Sequence, residues 1–244
     1  MKILLYILFL SIYTYIFSPQ KILAADALCS NEPMPSLANR RLICAVNLGI
    51  QANTAVDVST LINQYMPPKA GIFFPAGKYI ISNNIILGDG NSLVGSVDGI
   101  TIFHDPNLTK SSSIGNTDYS SMVKNLTVKN LILDNIGVDF YGNKDGIIIE
   151  NNAFINTNAE YPQLSVSHNQ FFIQGNVFLR DEAHPGLGIS TYRNKKTLIQ
   201  NNIVGNISND KIIATLNYYD TETYNVVTKL RLAGASNDIK LDVE

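Results

Sequence analysis

The sequence predicts an all-β fold, a parallel β-helix in which short strands wind into a solenoid closed at its start by one short helix. Three observations carry this. One grammar of apolar residues and asparagine recurs as GIIIENNAFINTN (146–158), QFFIQGNVFLR (170–180) and TLIQNNIVGN (197–206), each time with an asparagine three residues after an isoleucine. Asn152, Asn176 and Asn202 therefore recur about every 25 residues, and a period in this range signals a solenoid. A second column follows from FYGN, VSHN, TYRN and ATLN, which place Asn143, Asn169, Asn194 and Asn217 at closely similar intervals. Finally, a helical pattern occurs only once: Val58, Leu61, Ile62 and Tyr65 fall on one face at i, i+3, i+4 and i+7, and Pro67 and Pro68 stop it.

The chain begins with Lys2 and the uncharged run ILLYILFLSIYTYIF, followed by Ser18, Pro19 and the small residues of ILAADA. This pattern predicts a cleaved secretory signal over residues 1–25, with a retained membrane anchor as the alternative, because the run falls short of the roughly 20 residues that cross a bilayer. Cleavage is expected after Ala25 or Ala27, which makes the mature protein secreted or periplasmic, with no membrane contact. Leu28 is too large for the residue that precedes a lipoprotein cysteine, so Cys29 is not read as a lipid anchor. An N-terminal arm spans 26–56. Its two cysteines, Cys29 and Cys44, are the only ones, and an even count in an oxidising compartment predicts one disulfide.

The β-helix with its capping helix spans 57–217. It opens with GIFFPAGKYIISNNIIL, NSLVG and ITIF, apolar strand-sized runs broken by Gly, Asn, Asp and Pro. Later coils repeat short apolar runs between the two asparagine columns, so each coil buries its inward residues against its neighbours. Asparagine suits both demands of such a corner. It tolerates a left-handed backbone, and its amide can bond to the asparagine one coil above or below, about 4.8 Å away. An asparagine-rich composition alone does not place two columns in register with the apolar runs. In LTVKNLILDN, Asn130 fits as a further rung with a shift of one residue. Residues 218–244 are expected to add a last strand or two and cover the open end, where strand edges would otherwise invite aggregation.

The order of helix, PPKAGIFFPAGKYIIS, NSLVGSVDGITIF, VKNLTVKNLIL and asparagine-bearing coils resembles the secreted right-handed parallel β-helix proteins of the pectate lyase superfamily, from about residue 45 to 217. The resemblance implies that the helix caps the solenoid and that the partner is a polysaccharide. It implies no single reaction, since this scaffold serves lyases, hydrolases, epimerases and inert adhesins. A net charge of −2 and a pI near 5.9 leave no basic field for nucleic acid.

In the strand before the second asparagine column, alternation sends Val138, Leu164, Ile189 and Ile212 inward, with Phe140, Val166, Thr191 and Ala214. Asp139, Tyr141, Ser165, Ser167, Ser190 and Tyr192 are left outside. His168 and Arg193 stand at the adjoining turn, and the loop RDEAHPGLG adds Arg180, Asp181, Glu182 and His184. In the family the resemblance points to, substrate grooves lie along such a face. Each residue also has an ordinary explanation: the tyrosines suit strands, His168 suits a surface, and Arg193 suits a pair with Asp181 or Glu182. Their convergence on adjacent coils favours a site.

Uronic-acid chemistry fits this set. Taking the proton beside a carboxylate requires a cation to neutralise it and a neutral group to accept the proton, so Arg193 is the candidate neutraliser and Tyr192 or His168 the candidate base. Tyr141, Asp139, Arg180, Asp181, Glu182 and His184 are candidate binding residues. No cofactor is expected. Calcium is the open alternative: it would need several carboxylates on the face, where only Asp139 stands, with Asp181 and Glu182 in the loop, while three histidines and two cysteines do not make a zinc site. Hydrolase signatures are absent beyond the fragment NTD at 116–118. The alternative is a non-catalytic glycan-binding or surface module that uses the same tyrosine face for stacking.

Overall fold

The computed structural model describes Cys29, Leu37 and residues 41–107, 109–116, 121–142, 146–155, 163–168, 170–181, 188–192, 198–208, 211–213, 215–219, 228–229 and 240–243. Three sheets run along the molecule. The first joins β1 (Arg41–Cys44), β2 (Ala70–Phe74), β5 (Ser92–Gly95), β8 (Thr127–Lys129), β11 (Ile147–Glu150), β14 (Phe171–Gln174), β17 (Leu198–Gln200) and β21 (Thr228–Lys229) in that order. The second joins β3 (Gly77–Ile80), β6 (Thr101–His104), β9 (Ile132–Asp134), β12 (Ala153–Ile155), β15 (Val177–Asp181), β18 (Ile203–Ser208) and β19 (Lys211–Ile213). The third joins β4 (Ile85–Ile86), β7 (Ser112–Gly115), β10 (Ile136–Tyr141), β13 (Leu164–Ser167), β16 (Ile189–Tyr192), β20 (Thr215–Tyr219) and β22 (Lys240–Val243). Each coil visits the three sheets in turn, as β2–β3–β4, then β5–β6–β7 and onward. The chain is a parallel β-solenoid, and the one antiparallel pair among the described strands is β18 with β19.

Alternation makes the core. In β11 and β14, Ile147, Ile149, Phe171 and Ile173 are buried while their neighbours point outward. Phe154 stacks on Phe178 one coil away, with ring centroids 4.6 Å apart and planes at 14°. Each such side chain contributes about 1.5–3 kcal/mol of burial, and none can bury itself within its own coil. Close stacking also fixes Gly95, where a Cβ would lie 1.9 Å from the Asn130 carbonyl oxygen of the next coil.

The doubled asparagines divide two tasks. The first residue of each pair makes the corner: Asn151, Gly175 and Asn201 have φ of 54°, 67° and 55°. The second makes the ladder. Asn152 donates its backbone N–H and its Nδ2 to Asn176 Oδ1, at 2.9 and 3.1 Å, and Asn176 does the same to Asn202 Oδ1, at 2.9 and 3.0 Å. All three are buried. Asn130 is not a rung. It takes the corner conformation, with φ 58°, and Leu131 occupies the rung position, donating its N–H to Asn152 Oδ1 at 3.1 Å.

At the start, α1 (Ser59–Tyr65) lays Ile62 into the core, with Val58 buried just before it and Leu61 packed alongside. Side chains here imitate a missing strand. Asn53 accepts from Lys78 N at 3.0 Å while its own N–H reaches Lys78 O, and Asn63 brackets β4 by accepting from Ile86 N and donating to Asn84 O, both at 2.8 Å. Asp57 accepts from Ser59 N and Ser82 N with Oδ1, and from Ser59 Oγ and Asn83 Nδ2 with Oδ2. Burial pushes this carboxyl up, but the four hydrogen bonds outweigh it and hold the pKa below the ordinary value. Cys29 and Cys44 are disulfide-bonded, with Cα atoms 6.3 Å apart, which ties the arm to β1.

The last coils depart from the expected register. Ile212 lies in β19, opposite Ile207 in the second sheet, so it does not continue the inward row of Val138, Leu164 and Ile189. Asn217 lies within β20 opposite Ser190 and is a strand residue, not the end of a corner column. The physical reason is the β18–β19 hairpin, which lengthens this coil. Asn143, Asn169, Asn194 and Ala214 lie outside the described residues, as does the expected signal segment.

Candidate functional site: the outer face of the third sheet

Two columns of residues run in register across the third sheet. Asp139 pairs with Gly115 on one side and Ser165 on the other, and the column continues to Ser190 and Asn217. Two residues further along the strands, Tyr141, Ser167, Tyr192 and Tyr219 follow one another. Strands in such a sheet lie about 4.8 Å apart, so the face repeats on a scale that an extended polymer can follow.

Asp139 is half-buried, and its Oδ1 is buried without a hydrogen-bond partner. Burial pushes its carboxyl above the ordinary carboxylate range, against the smaller lowering effect of a hydrogen bond from Ser165. The residue beside it in β7 is Gly115, which has no side chain to cover it.

Tyr141 is anchored through its backbone: its N–H donates to Asn116 Oδ1 at 3.0 Å, and its carbonyl accepts from Val123 N at 2.9 Å. The His168 ring lies beside it, with centroids 6.4 Å apart and planes at 48°. His168 has φ 62°, a left-handed conformation that is uncommon for residues other than glycine. Its Nδ1 is 3.0 Å from Ser167 Oγ, which fixes the ring over the strand end. An aromatic ring, an imidazole, a hydroxyl and a buried carboxyl oxygen thus share one patch of β10 and β13.

The other expected site residues are distributed differently. Tyr192 occupies its expected strand, in register with Ser167. Arg180 and Asp181 belong to β15 in the second sheet, paired with Asn206 and Ile207, and do not form part of a loop over the third sheet. That strand runs further than its apolar stretch implies, because β18 pairs with it along its whole length. Arg193, Glu182 and His184 lie outside the described residues. Sequence reasoning missed Tyr219, which follows Tyr192 in register. The doublet Tyr218-Tyr219 was its only signal, and an assumed short last coil hid it. Among the described residues, no group of three His, Cys, Asp or Glu side chains could hold a metal ion.

No protein-family model matches the chain, and no curated protein matches it either. Among solved structures, it is similar to ORF18 of Geobacillus virus E2, at 13% identity and a TM-score of 0.49. The similarity covers 78% of this chain and 40% of that one, so this chain spans less than half of that protein's length.

Proposed function

We propose that this is an exported β-solenoid that binds an acidic polysaccharide along the outer face of the third sheet. The observation that carries this reading is the patch in which the Tyr141 and His168 rings stand beside the partnerless, buried Oδ1 of Asp139. Sugars present apolar ring faces edged by hydroxyl groups, and a site for them combines an aromatic platform with fixed polar groups. Asp139 supplies a fixed polar group on this face, with its carboxyl pKa raised by burial. The likeness of the FPAGKY region and the asparagine coils to the pectate lyase superfamily supports the substrate class, and the uncharged run near the N-terminus together with the disulfide supports export. Among the described residues, no helix is long and apolar enough to cross a membrane.

The same patch favours a second reading, β-elimination or epimerisation at a uronic acid. Here His168 or Tyr192 takes the proton beside the sugar carboxylate and Arg193 neutralises the charge that develops, with Tyr141 as the stacking platform. The mature chain, titrated with polygalacturonate and alginate oligomers, tests both. Binding should fall at least about tenfold in Tyr141→Ala, equivalent to about 1.4 kcal/mol, and survive in Tyr141→Phe. New ultraviolet absorbance from an unsaturated product identifies the elimination reading. If Tyr141→Ala leaves binding unchanged, the face is not the site.

A further inference from the structure

We infer that a second cleft, at the corner where the second sheet passes into the third in the earliest coils, is a subsite for one uronate residue of the same polysaccharide, with Lys110 taking the carboxylate. This deepens the proposed function and rests on it. The cleft has a volume of about 220 Å3 and is walled by two segments that the sequence separates, Asn83 and Asn84 from one coil and Asp105, Asn107, Lys110 and Ser111 from the next. A drug-sized pocket is about 300–1,000 Å3, so this one suits a single sugar unit.

Its chemistry is one-sided. Asn84 Oδ1 accepts from Ser113 N at 3.0 Å, and Asn107 Oδ1 accepts from Thr109 N and Oγ1 at 3.0 and 2.8 Å. Because backbone N–H groups hold these carbonyl ends, the orientation of both amides is settled and their Nδ2 donors are left over. Among the described residues, neither Nδ2 nor Lys110 Nζ has a hydrogen-bond partner. The acceptors, by contrast, are already used. The buried Asp105 takes Asn107 N at 2.8 Å and Ser112 N at 2.7 Å, and the Asp105 and Asn107 carbonyls take Asn135 Nδ2 at 3.2 and 2.5 Å. A cleft with one cation, two oriented amide donors and satisfied acceptors selects a ligand rich in acceptors. A sugar bearing a carboxylate has that composition.

Its position fits the same polymer. Ser112, at the cleft, begins β7, and Gly115, at the end of that strand, pairs with Asp139. Three residue steps along β7 span about 10 Å, and two more along β10 to Tyr141 add about 7 Å. A short oligosaccharide can therefore occupy both places.

The test is titration of the full mature chain with oligogalacturonate and with its carboxyl-reduced, neutral counterpart, followed by calorimetry and by side-chain amide NMR. Lys110→Ala should weaken oligogalacturonate binding about tenfold, leave the neutral oligomer unaffected, and abolish the ligand-induced shifts of the Asn84 and Asn107 amides. Lys110→Arg should retain most of the affinity. If Tyr141→Ala abolishes binding while Lys110→Ala changes nothing, the subsite is refuted and the main face stands. If the unaltered chain binds no uronate oligomer, both fall together.

Discussion

Asn176→Ala should be the most damaging single change to the solenoid that leaves no large void. The side chain is fully buried and makes four hydrogen bonds: Oδ1 accepts from Asn152 N and Nδ2 at 2.9 and 3.1 Å, and Nδ2 donates to Ile149 O and Asn202 Oδ1 at 2.8 and 3.0 Å. Truncation leaves the buried Asn152 N–H without its acceptor, which costs about 1–3 kcal/mol, and removes further bonds worth about 0.5–1.5 kcal/mol each. The expected loss is about 3–5 kcal/mol, a large part of the roughly 5–15 kcal/mol that holds a domain together. Asn152→Ala should cost less, because that residue ends the ladder and its Oδ1 serves only Leu131 N. Asn176→Asp keeps one acceptor face but turns a carboxylate toward Ile149 O and Asn202 Oδ1, so it should be tolerated when protonated in acid and lose stability as pH rises. Urea unfolding of the protein at several pH values measures all three. A loss below about 1 kcal/mol for Asn176→Ala, or an equal loss for Asn152→Ala, would show that the ladder is a by-product of stacking and not a support for it.

Three further predictions concern single groups. Asp139→Asn should raise the melting temperature at neutral pH: with its pKa raised by burial, the charged carboxyl destabilises the folded state above its folded pKa, so the native protein loses stability as pH rises through that range and the variant does not. Asp57 has the opposite sign, since its lowered pKa contributes stability above the unfolded value of about 3.8 that disappears as pH falls through the folded pKa. Asp57→Ala should cost about 2 kcal/mol at pH 7, the lower end for charged hydrogen bonds because solvent screens much of the carboxylate, and should flatten the acid limb of a stability curve. Removing the Cys29–Cys44 bridge should cost about 3 kcal/mol in denaturant unfolding, as the chain-entropy account gives for a loop of about 15 residues, and should leave glycan binding intact.

The fold was legible because its determinants are local and repeated. An asparagine preceded by asparagine or glycine after an apolar run can serve a corner and a ladder at once, and its return about every 25 residues counts the coils without any knowledge of tertiary contacts. Register in the last coil was not legible. Ser165 pairs with Ser190 at the regular interval, but Ser190 pairs with Asn217, further along the chain than the same interval would reach. The excess belongs to the β18–β19 hairpin, whose pairing is decided by its partner strand. Alternation named the outer face correctly around Asp139 and Tyr141. It did not show that His168 holds a left-handed backbone, since a histidine there carries no signal of its own, nor that Lys110 and Asn84 line one cleft, because two loops a full coil apart build it.

The beginning of the solenoid gives a prediction that joins stability to the proposed subsite. A parallel stack must end somewhere, and its last strand presents free N–H and C=O groups. Here β1 covers the edge of β2, and β3 is met by the backbone of Asn53, Asp57 and Val58 together with the Asn53 amide, whereas β4 receives the Asn63 side-chain amide in place of a strand. Asn63 serves β4 from both sides, accepting from Ile86 N and donating to Asn84 O, each at 2.8 Å. Asn63→Ala should cost only about 1–2 kcal/mol globally, because water can replace it at this exposed edge. Its local effect should be larger. Hydrogen exchange at the Ile86 amide should speed up well beyond that of buried strands such as β10, since only a local opening is then needed. Because Asn84 is also a wall of the Lys110 cleft, the same change should weaken oligogalacturonate binding there while leaving the neutral oligomer's affinity at the Tyr141 face unchanged. Unchanged protection at Ile86 would mean that the amide does not act as a strand substitute. Faster exchange with unchanged uronate affinity would separate the capping role from the cleft and leave Asn63 as a structural residue alone.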